Sequence, residues 1–245
     1  MSFTSLELSL VALIFCWTGF VRTGLGFGGA ALGLPLMMLV EGSPIDWLPI
    51  IGIHLLFFSG ISLSNALKKV DWKYLKGSLA WILPAKLLGV IGLINLPAQV
   101  MTVIVYLITC FYAITWIINR PISSQKKWVD NFLLTLGGYI SGTSLTGAPL
   151  IVAVYMRHIA KEKLRNTLFV LWFFLVTIKM TAFITVDVYV DWQSALMLIP
   201  AAAVGHLIGL KVHDKIMEND QRFKRWIGGV LILVCLIGFF RLLIS

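Results

Sequence analysis

The chain has 245 residues, of which 59% are hydrophobic and 13% charged, with a formal net charge of +9 at pH 7. An ordinary soluble domain carries about 25% charged residues, so this composition excludes that class. Most Lys and Arg residues fall in four short segments between apolar runs, which is the positive-inside bias of a membrane protein rather than a nucleic-acid groove. Those segments are 68–76, 120–127, 157–165 and 211–225.

Ten apolar segments follow one another along the chain. A helix needs about 20 apolar residues to cross a bilayer, so the pattern predicts an all-α, polytopic helical membrane protein with one transmembrane domain over 1–245. In chain order the segments are 5–21, 30–40, 47–67, 77–94, 99–118, 131–140, 148–156, 166–186, 193–210 and 226–244. The first segment lacks a basic flank and a cleavage site, so we expect it to be retained.

The chain repeats itself at two landmarks. The tripeptide VDW occurs at 70–72 and at 190–192, a shift of 120 residues. The stretch GFVRTGLGFGGA from Gly19 resembles GYISGTSLTGAP from Gly138, a shift of 119. The agreement predicts a duplication, with one repeat over 3–120 and the other over 128–245. Such repeats are common in secondary transporters.

The loop charges predict how the repeats are oriented. Loops 41–47, 94–99 and 186–192 contain no Lys or Arg and are expected outside, while the basic loops are expected inside. Segment 128–157 lies between two basic loops, and its 30 residues are too few for two crossings, which need about 40. We therefore predict a re-entrant or sharply bent hairpin there and, by the repeat, a matching hairpin over 3–40.

Each half then holds one hairpin and three crossings, which predicts inverted repeats with both termini outside. The two hairpin turns are expected to meet near the bilayer midplane, where irregular backbone is tolerated only if protein buries it or it lines a cavity. The second legs should start near Gly28 and Gly147. The N–H groups and partial positive charge of their N-termini suit a small oxyanion.

The two turns supply the candidate anion-binding residues. Glycines let the backbone approach a ligand closely, and hydroxyl groups donate hydrogen bonds. The alternative is that small residues serve close helix packing, which is the role expected for Gly205 and Gly209. The candidates are Arg22, Thr23, Gly24, Gly26, Gly28, Gly29, Ser141, Thr143, Ser144, Thr146 and Gly147. The spacing of Gly24, Gly26 and Gly29 also matches a dinucleotide fingerprint, but a membrane segment precedes it instead of a strand.

Cations within apolar runs add to the anion hypothesis. An ionisable group at depth costs roughly 3 kcal/mol or more and usually faces a cavity or a partner. Lys86 and Lys179 therefore join Arg22 as candidates, with snorkelling toward the outer interface as the alternative for Lys179. His54 and His206 are candidate proton carriers or hydrogen-bonded packing residues. His206 and Lys86 occupy equivalent positions in the two repeats.

Several motifs together resemble the sulfite exporter TauE/SafE family, also called the TSUP family. They are the glycine turn leading into LGLPL at 32–36, the VDW repeats, and TGAPL at 146–150, and the resemblance extends from Gly19 to Leu243. It implies an inner-membrane protein that moves sulfur-containing anions such as sulfite and organosulfonates. The family's second turn usually has several consecutive glycines before a proline, whereas this chain has Thr146, Gly147, Ala148 and Pro149.

The sequence thus predicts a secondary transporter that exports a small sulfur-containing anion across the inner membrane by alternating access, with protons as a candidate coupling ion. A passive anion channel is the alternative. An enzyme is not expected, because no nucleophile lies beside a base. No cofactor or metal is expected either, since Cys16, Cys110 and Cys235 lie in apolar runs without ligand spacing. The expected partners are the anion and the bilayer, without nucleic acid; the anion's identity and a homo-oligomer stay open.

Overall fold

The computed structural model of the chain describes residues 4–25, 28–119, 126–218 and 220–244. Within these residues there are ten α-helices and one 3-10 turn, Leu67–Lys69. The helices are α1 (Ser5–Gly24), α2 (Gly29–Val40), α3 (Pro44–Ala66), α4 (Trp72–Asn95), α5 (Ala98–Ile118), α6 (Lys127–Ser144), α7 (Ala148–His158), α8 (Lys161–Thr185), α9 (Trp192–Glu218) and α10 (Asp220–Ile244). Seven of them are long and apolar enough to cross a membrane, so the all-α polytopic membrane fold is confirmed.

The two predicted hairpins correspond to two pairs of helices with a long first leg and a short second leg. Hairpin 1 (5–40) consists of α1 and α2, and hairpin 2 (127–158) consists of α6 and α7. The second legs have 12 and 11 residues, about 18 and 16 Å at 1.5 Å per residue. They are too short for a hydrocarbon core of about 30 Å. By contrast, α1 has 20 residues and is long enough to cross.

The VDW repeat marks the start of a helix in both halves. Asp71 is the N-cap of α4, and its Oδ1 accepts a hydrogen bond from the Tyr74 N–H at 3.0 Å. The Oδ1 of Asp191 accepts from the Ser194 N–H at 3.0 Å at the start of α9. A side-chain acceptor at this position satisfies an N–H group that lacks an intrahelical partner. The tripeptide therefore serves to begin α4 and α9.

The chain divides into two compact units that do not follow the order of the sequence. Unit 1 contains hairpin 1, the first turns of α3, and α5, α9 and α10. Unit 2 contains hairpin 2, the remainder of α3, and α4 and α8. Each unit therefore combines a hairpin from one sequence repeat with helices from the other.

Glycines allow close packing of each hairpin on a long helix of its unit. In unit 1, α1 packs on α9, where a methyl group at Gly209 would lie 2.7 Å from the Phe20 carbonyl oxygen and one at Gly205 would overlap the Cys16 carbonyl. The packing role predicted for Gly205 and Gly209 is confirmed. In unit 2, α6 packs on α4, and a methyl group at Gly138 would lie 2.5 Å from the Ile82 carbonyl oxygen.

Candidate anion site

The turn of hairpin 2 is shorter than the sequence predicted. Ser141, Thr143 and Ser144 were expected in the turn, but they form the last helical turn of α6. The hydroxyls of Thr143 and Ser144 both donate to the Ile140 carbonyl, at 3.0 and 3.1 Å, which holds this polar stretch in the helix. The chain reverses only at 145–147, where Leu145 adopts a left-handed conformation with φ of 58°. Thr146 bonds to Ser144 through hydroxyls 2.6 Å apart.

Two lysine side chains from neighbouring helices converge on this end of α6. The Nζ of Lys86, in α4, donates to the carbonyl oxygen and the Oγ of Ser141, both at 3.2 Å. The Nζ of Lys179, in α8, donates to the carbonyl oxygens of Gly142 at 2.8 Å and Thr143 at 3.1 Å. Both lysines are fully buried. Lys179 therefore does not snorkel to an interface, because its ammonium group binds backbone carbonyls inside unit 2.

The position of the lysines has a clear electrostatic cause. The last carbonyls of a helix lack intrahelical partners and carry partial negative charge, which an ammonium group stabilises. An ammonium group has three N–H donors, and Lys86 and Lys179 each use two on α6. Within the described parts of the chain, neither lysine pairs with a carboxylate. The tip of hairpin 2 therefore holds two buried lysine amino groups that have no carboxylate partner among the described residues.

The short second leg, α7, begins beside this cationic tip. Its N-cap is Gly147, no side chain of the described residues caps it, and Pro149 supplies no N–H. The N–H groups of Ala148 and Leu150 are thus the donors of its first turn. A methyl group at Gly147 would overlap the Gly137 carbonyl, so this glycine permits the turn to lie close against α6. Hairpin 2 therefore offers ammonium and backbone donors, while its hydroxyls already have partners.

The tip of hairpin 1 also combines a basic side chain with the start of a short second leg. Here the basic residue belongs to the hairpin itself. Arg22, Thr23 and Gly24 were predicted in the turn, but they form the last turn of α1. Gly26 lies outside the described residues. Gly28 has φ of 88°, a conformation that glycine adopts readily, and caps α2 without a side-chain hydrogen bond. Gly29 begins α2.

Arg22 is the basic residue at the end of α1, and it is buried with an exposed fraction of 6%. A methyl group at Gly29 would lie 3.2 Å from the Arg22 Cβ and 3.1 Å from the Thr18 carbonyl oxygen. The glycine thus lets the two legs of hairpin 1 approach each other next to the arginine. A cation at the end of a helix also interacts favourably with the helix dipole.

His206 binds directly to the end of α1. Its Nδ1 lies 2.6 Å from the Thr23 Oγ1, which also donates to the Gly19 carbonyl at 3.0 Å. When Nδ1 carries a proton, the Thr23 hydroxyl accepts a hydrogen bond from it while donating to the Gly19 carbonyl; when Nδ1 carries none, the hydroxyl can donate to Nδ1. His54 is buried in α3, with its ring 6.4 Å from that of Phe58. The structure therefore places His206 in contact with Thr23, a candidate anion-site residue.

The sequence analysis missed a second histidine at this tip. The Nδ1 of His213 lies 2.7 Å from the carbonyl oxygen of Gly24, the last residue of α1. The signal was its spacing: His213 follows His206 by seven residues, two helical turns, with Gly209 between them on the same face of α9. His213 lies in the basic segment 211–225, which the sequence analysis interpreted as a loop.

The sequence analysis also missed an ion-pair cluster that joins the legs of hairpin 2 at their open end. Asp130, in the first turn of α6, lies 2.7 Å from an Arg157 guanidinium nitrogen and 2.7 Å from the His158 Nε2. Arg157 and His158 are in the last turn of α7. Asp130 is largely buried, so the cluster fixes the two helices at this end. That the tips of the two hairpins share one cavity stays a prediction of the sequence.

Comparison with known proteins supplies the family. A family model described as sulfite exporter TauE/SafE matches residues 11–237. No curated protein and no solved structure matches the chain. The match covers nearly the whole chain, from within α1 to within α10, and includes all of hairpin 2 and most of hairpin 1. The chain therefore belongs to the sulfite exporter TauE/SafE family of membrane transport proteins.

Proposed function

We propose that this protein is a secondary transporter that exports a small sulfur-containing oxyanion, of the sulfite or organosulfonate class, across the inner membrane by alternating access. The anion binds at the hairpin tips. The sites on hairpin 1 are Arg22 and the start of α2, and those on hairpin 2 are Lys86, Lys179 and the start of α7. Family membership supports the class of anion, and the chemistry of the tips supports the location.

The observation that carries the proposal is the pair of buried lysines at the end of α6. The two lysine amino groups bind within one helical turn of α6 and repel each other when both are protonated, and neither has a carboxylate partner among the described residues. A bound oxyanion relieves that repulsion by accepting the third N–H of each lysine and the free N–H groups that begin α7. Donors at ammonium groups and at a helix N-terminus suit the oxygens of a small anion.

Transport by alternating access follows from the proposed inverted repeats, one rocking against the other. Proton coupling is assigned to His206, because imidazole changes charge between about pH 5 and 8. Its bond to Thr23 connects that change to the end of α1. A proton bound there alters the local positive charge and therefore the affinity for an anion.

Counterflow in proteoliposomes tests the proposal. Vesicles containing the purified protein and a high internal concentration of unlabelled sulfite are diluted into labelled sulfite. A carrier accumulates label transiently, whereas a channel only equilibrates it. Lys76→Gln serves as the control, since Lys76 is an exposed residue of α4 outside the tip. Equilibration without accumulation would identify a passive anion channel, and no sulfite flux at all would reject the substrate class.

The proposed orientation has its own test. Single cysteines replace Lys76 and Gln193, both exposed and each near the start of a VDW helix, in a background without Cys16, Cys110 and Cys235. In intact cells an impermeant thiol reagent should label position 193 and spare position 76 until the membrane is opened. Labelling of both from one side would reject inverted repeats.

A further inference from the structure

Unit 2 contains a cavity that the proposed transport function does not use. Its volume is about 420 Å³, and it lies between the start of α4, the first turns of α6 and the end of α7. We call it the α4–α6 cavity. Its walls change character along α4, from charged residues at the helix start to apolar residues one to two turns further on.

The polar end of the cavity holds both signs of charge. Asp71 and Lys73 lie there, and Asn131 contributes an amide from α6. One oxygen of Asp71, Oδ1, caps α4 by accepting a hydrogen bond from the Tyr74 N–H. A ligand that matches this end has a cationic group near Asp71 and an anionic group near Lys73 and Asn131.

One wall of the cavity is held rigidly by the ion-pair cluster of hairpin 2. The His158 Nε2 lies 2.7 Å from Asp130. The His158 ring stacks on that of Tyr74, with centroids 5.2 Å apart and planes 17° apart. Behind this wall, the hydroxyls of Ser78 and Tyr155 lie 2.5 Å apart. These contacts hold the side chains of this wall in place, so little conformational order must be gained on binding.

The cavity spans the end of a membrane-crossing helix. From Asp71 to Trp81 the chain rises about 15 Å at 1.5 Å per residue, and α4 is apolar enough to cross from Trp72 onward. Trp72 and Trp81 are 44% and 47% exposed, as expected for aromatic residues at and below a membrane interface. Leu134 adds apolar surface at the deeper end. The cavity thus runs from charged at the interface to apolar within the bilayer.

We propose that the α4–α6 cavity binds the headgroup of a zwitterionic phospholipid of the phosphatidylethanolamine type. Its ammonium group pairs with Asp71, its phosphate accepts hydrogen bonds from Lys73 and Asn131, and the start of its acyl chains packs on Trp81 and Leu134. An anionic phospholipid offers the phosphate without the ammonium group and leaves Asp71 beside a negative charge. The site is therefore selective for the zwitterionic lipid, independently of any transported anion.

The test measures lipid binding by native mass spectrometry and thermal shift on the delipidated, full-length protein in detergent. Phosphatidylethanolamine is compared with phosphatidylglycerol and with soluble phosphoethanolamine. We expect one phosphatidylethanolamine per chain and a clear preference over phosphatidylglycerol. Asp71→Asn keeps a capping side chain, because Asn and Asp cap helices equally well, and it should abolish the preference. Lys73→Gln should weaken binding of both lipids about fivefold, as for a partly exposed charge pair.

Matched controls separate the cavity from general effects of charge. Asp191→Asn changes the corresponding residue of the second VDW motif, and Lys76→Gln removes an exposed charge on α4 that does not line the cavity. Both should keep the wild-type lipid preference. Equal binding of the two phospholipids, or an unchanged preference in Asp71→Asn, would overturn the proposal. So would equal stabilisation by soluble phosphoethanolamine, which would assign a free small molecule, or a Lys73→Gln variant that changes anion transport without changing lipid binding.

Discussion

The two hairpins obtain positive charge at their tips in different ways. In hairpin 1, Arg22 belongs to the hairpin itself and is its single Lys or Arg residue. In hairpin 2, the tip is made cationic by Lys86 and Lys179, which reach it from α4 and α8. The basic group at the tip of hairpin 1 thus comes from one residue of that hairpin. At the tip of hairpin 2, two residues from other helices of the same unit supply the basic groups.

The same packing supports both tips, which makes their chemical difference informative. α1 packs on α9 as α6 packs on α4, and the two long helices carry Lys86 and His206, which are 120 residues apart in the sequence. His206 contacts Thr23, and Lys86 contacts Ser141, the residue before the equivalent of Thr23. Both residues bring a basic side chain to the end of a hairpin's first leg, and an imidazole changes charge near neutral pH. We infer that hairpin 1 contributes a charge that titrates in this range.

The largest effect is expected from Arg22→Ala. Hairpin 1 then has no cation of its own, and truncating one partner of a buried charge pair costs about 2–5 kcal/mol, roughly 30- to several-thousand-fold in affinity. We expect sulfite efflux from cells to be abolished while expression stays normal. The measurement is efflux of labelled sulfite, with the amount of folded protein checked by size-exclusion chromatography.

Arg22→Lys is the matched variant, because it keeps the charge and loses the planar guanidinium group. Partial efflux in Arg22→Lys together with none in Arg22→Ala would assign the effect to charge. Unaltered efflux in Arg22→Ala would remove Arg22 from the site and end the comparison between the two tips.

A smaller effect is expected from removing one lysine of hairpin 2. In Lys86→Met or Lys179→Met the remaining ammonium group still faces the anion, so we expect anion affinity to fall about 10- to 100-fold, the value of one hydrogen bond to a charged group. Isothermal titration of the purified variants with sulfite measures this. The double variant should show no detectable binding.

These variants also uncover carbonyl groups at the end of α6, so the melting temperature without anion should fall as well. Lys179→Arg retains a cation and separates the two effects. Should both single variants bind sulfite as the wild type does, the lysines would serve only to cap α6, and the sulfite proposal would lose its main support.

Much of the fold could be predicted from the sequence because hydrophobicity determines where helices cross a bilayer. All ten apolar segments correspond to helices, and the second legs begin one residue after the predicted Gly28 and Gly147. The positions of the helix ends differ more from the predicted segment bounds. α6 extends four residues beyond each end of its apolar segment, since the hydroxyls of Thr143 and Ser144 bond within the helix. Hydropathy alone does not register such bonds.

The site could be predicted only in part. Spacing along the chain located the glycine turns and the buried cations, but the partners of Lys179 are 36 and 37 residues away in sequence. A lysine in an apolar run gives the same sequence pattern whether its ammonium group reaches a membrane interface or the end of a helix. His213 was overlooked for a related reason: its segment is rich in Lys and Arg, and the helical continuation of α9 through that segment has no apolar signal.

The third-largest effect is expected from variants that disturb helix packing. A methyl group at Gly205 would overlap the Cys16 carbonyl, and one at Gly89 would overlap the Tyr139 carbonyl, so Gly205→Ala and Gly89→Ala should each separate a hairpin from its long helix. Overpacking of this kind costs about 1–3 kcal/mol. We expect both variants to unfold at lower temperature in detergent. Gly229→Ala is the control, because no atom lies within 4 Å of the added group. A lower unfolding temperature in only one of the two variants would show that the two hairpins are not packed equivalently.

The smallest effect, and the one that best separates the two tips, is expected from His206→Asn. Asparagine can keep a hydrogen bond to Thr23 but cannot gain a proton. We therefore expect the amount of folded protein and the efflux rate at one fixed pH to change less than about tenfold. The dependence of efflux on pH between about 5 and 8 should become weaker, because the imidazole that titrates at the tip of hairpin 1 is gone. Efflux measured across this range in proteoliposomes checks this, with His54→Asn as the matched variant, since His54 is also buried in a membrane helix. A weaker pH dependence in His54→Asn and a normal one in His206→Asn would assign the coupling to His54, and the assignment of proton coupling to His206 would then be wrong.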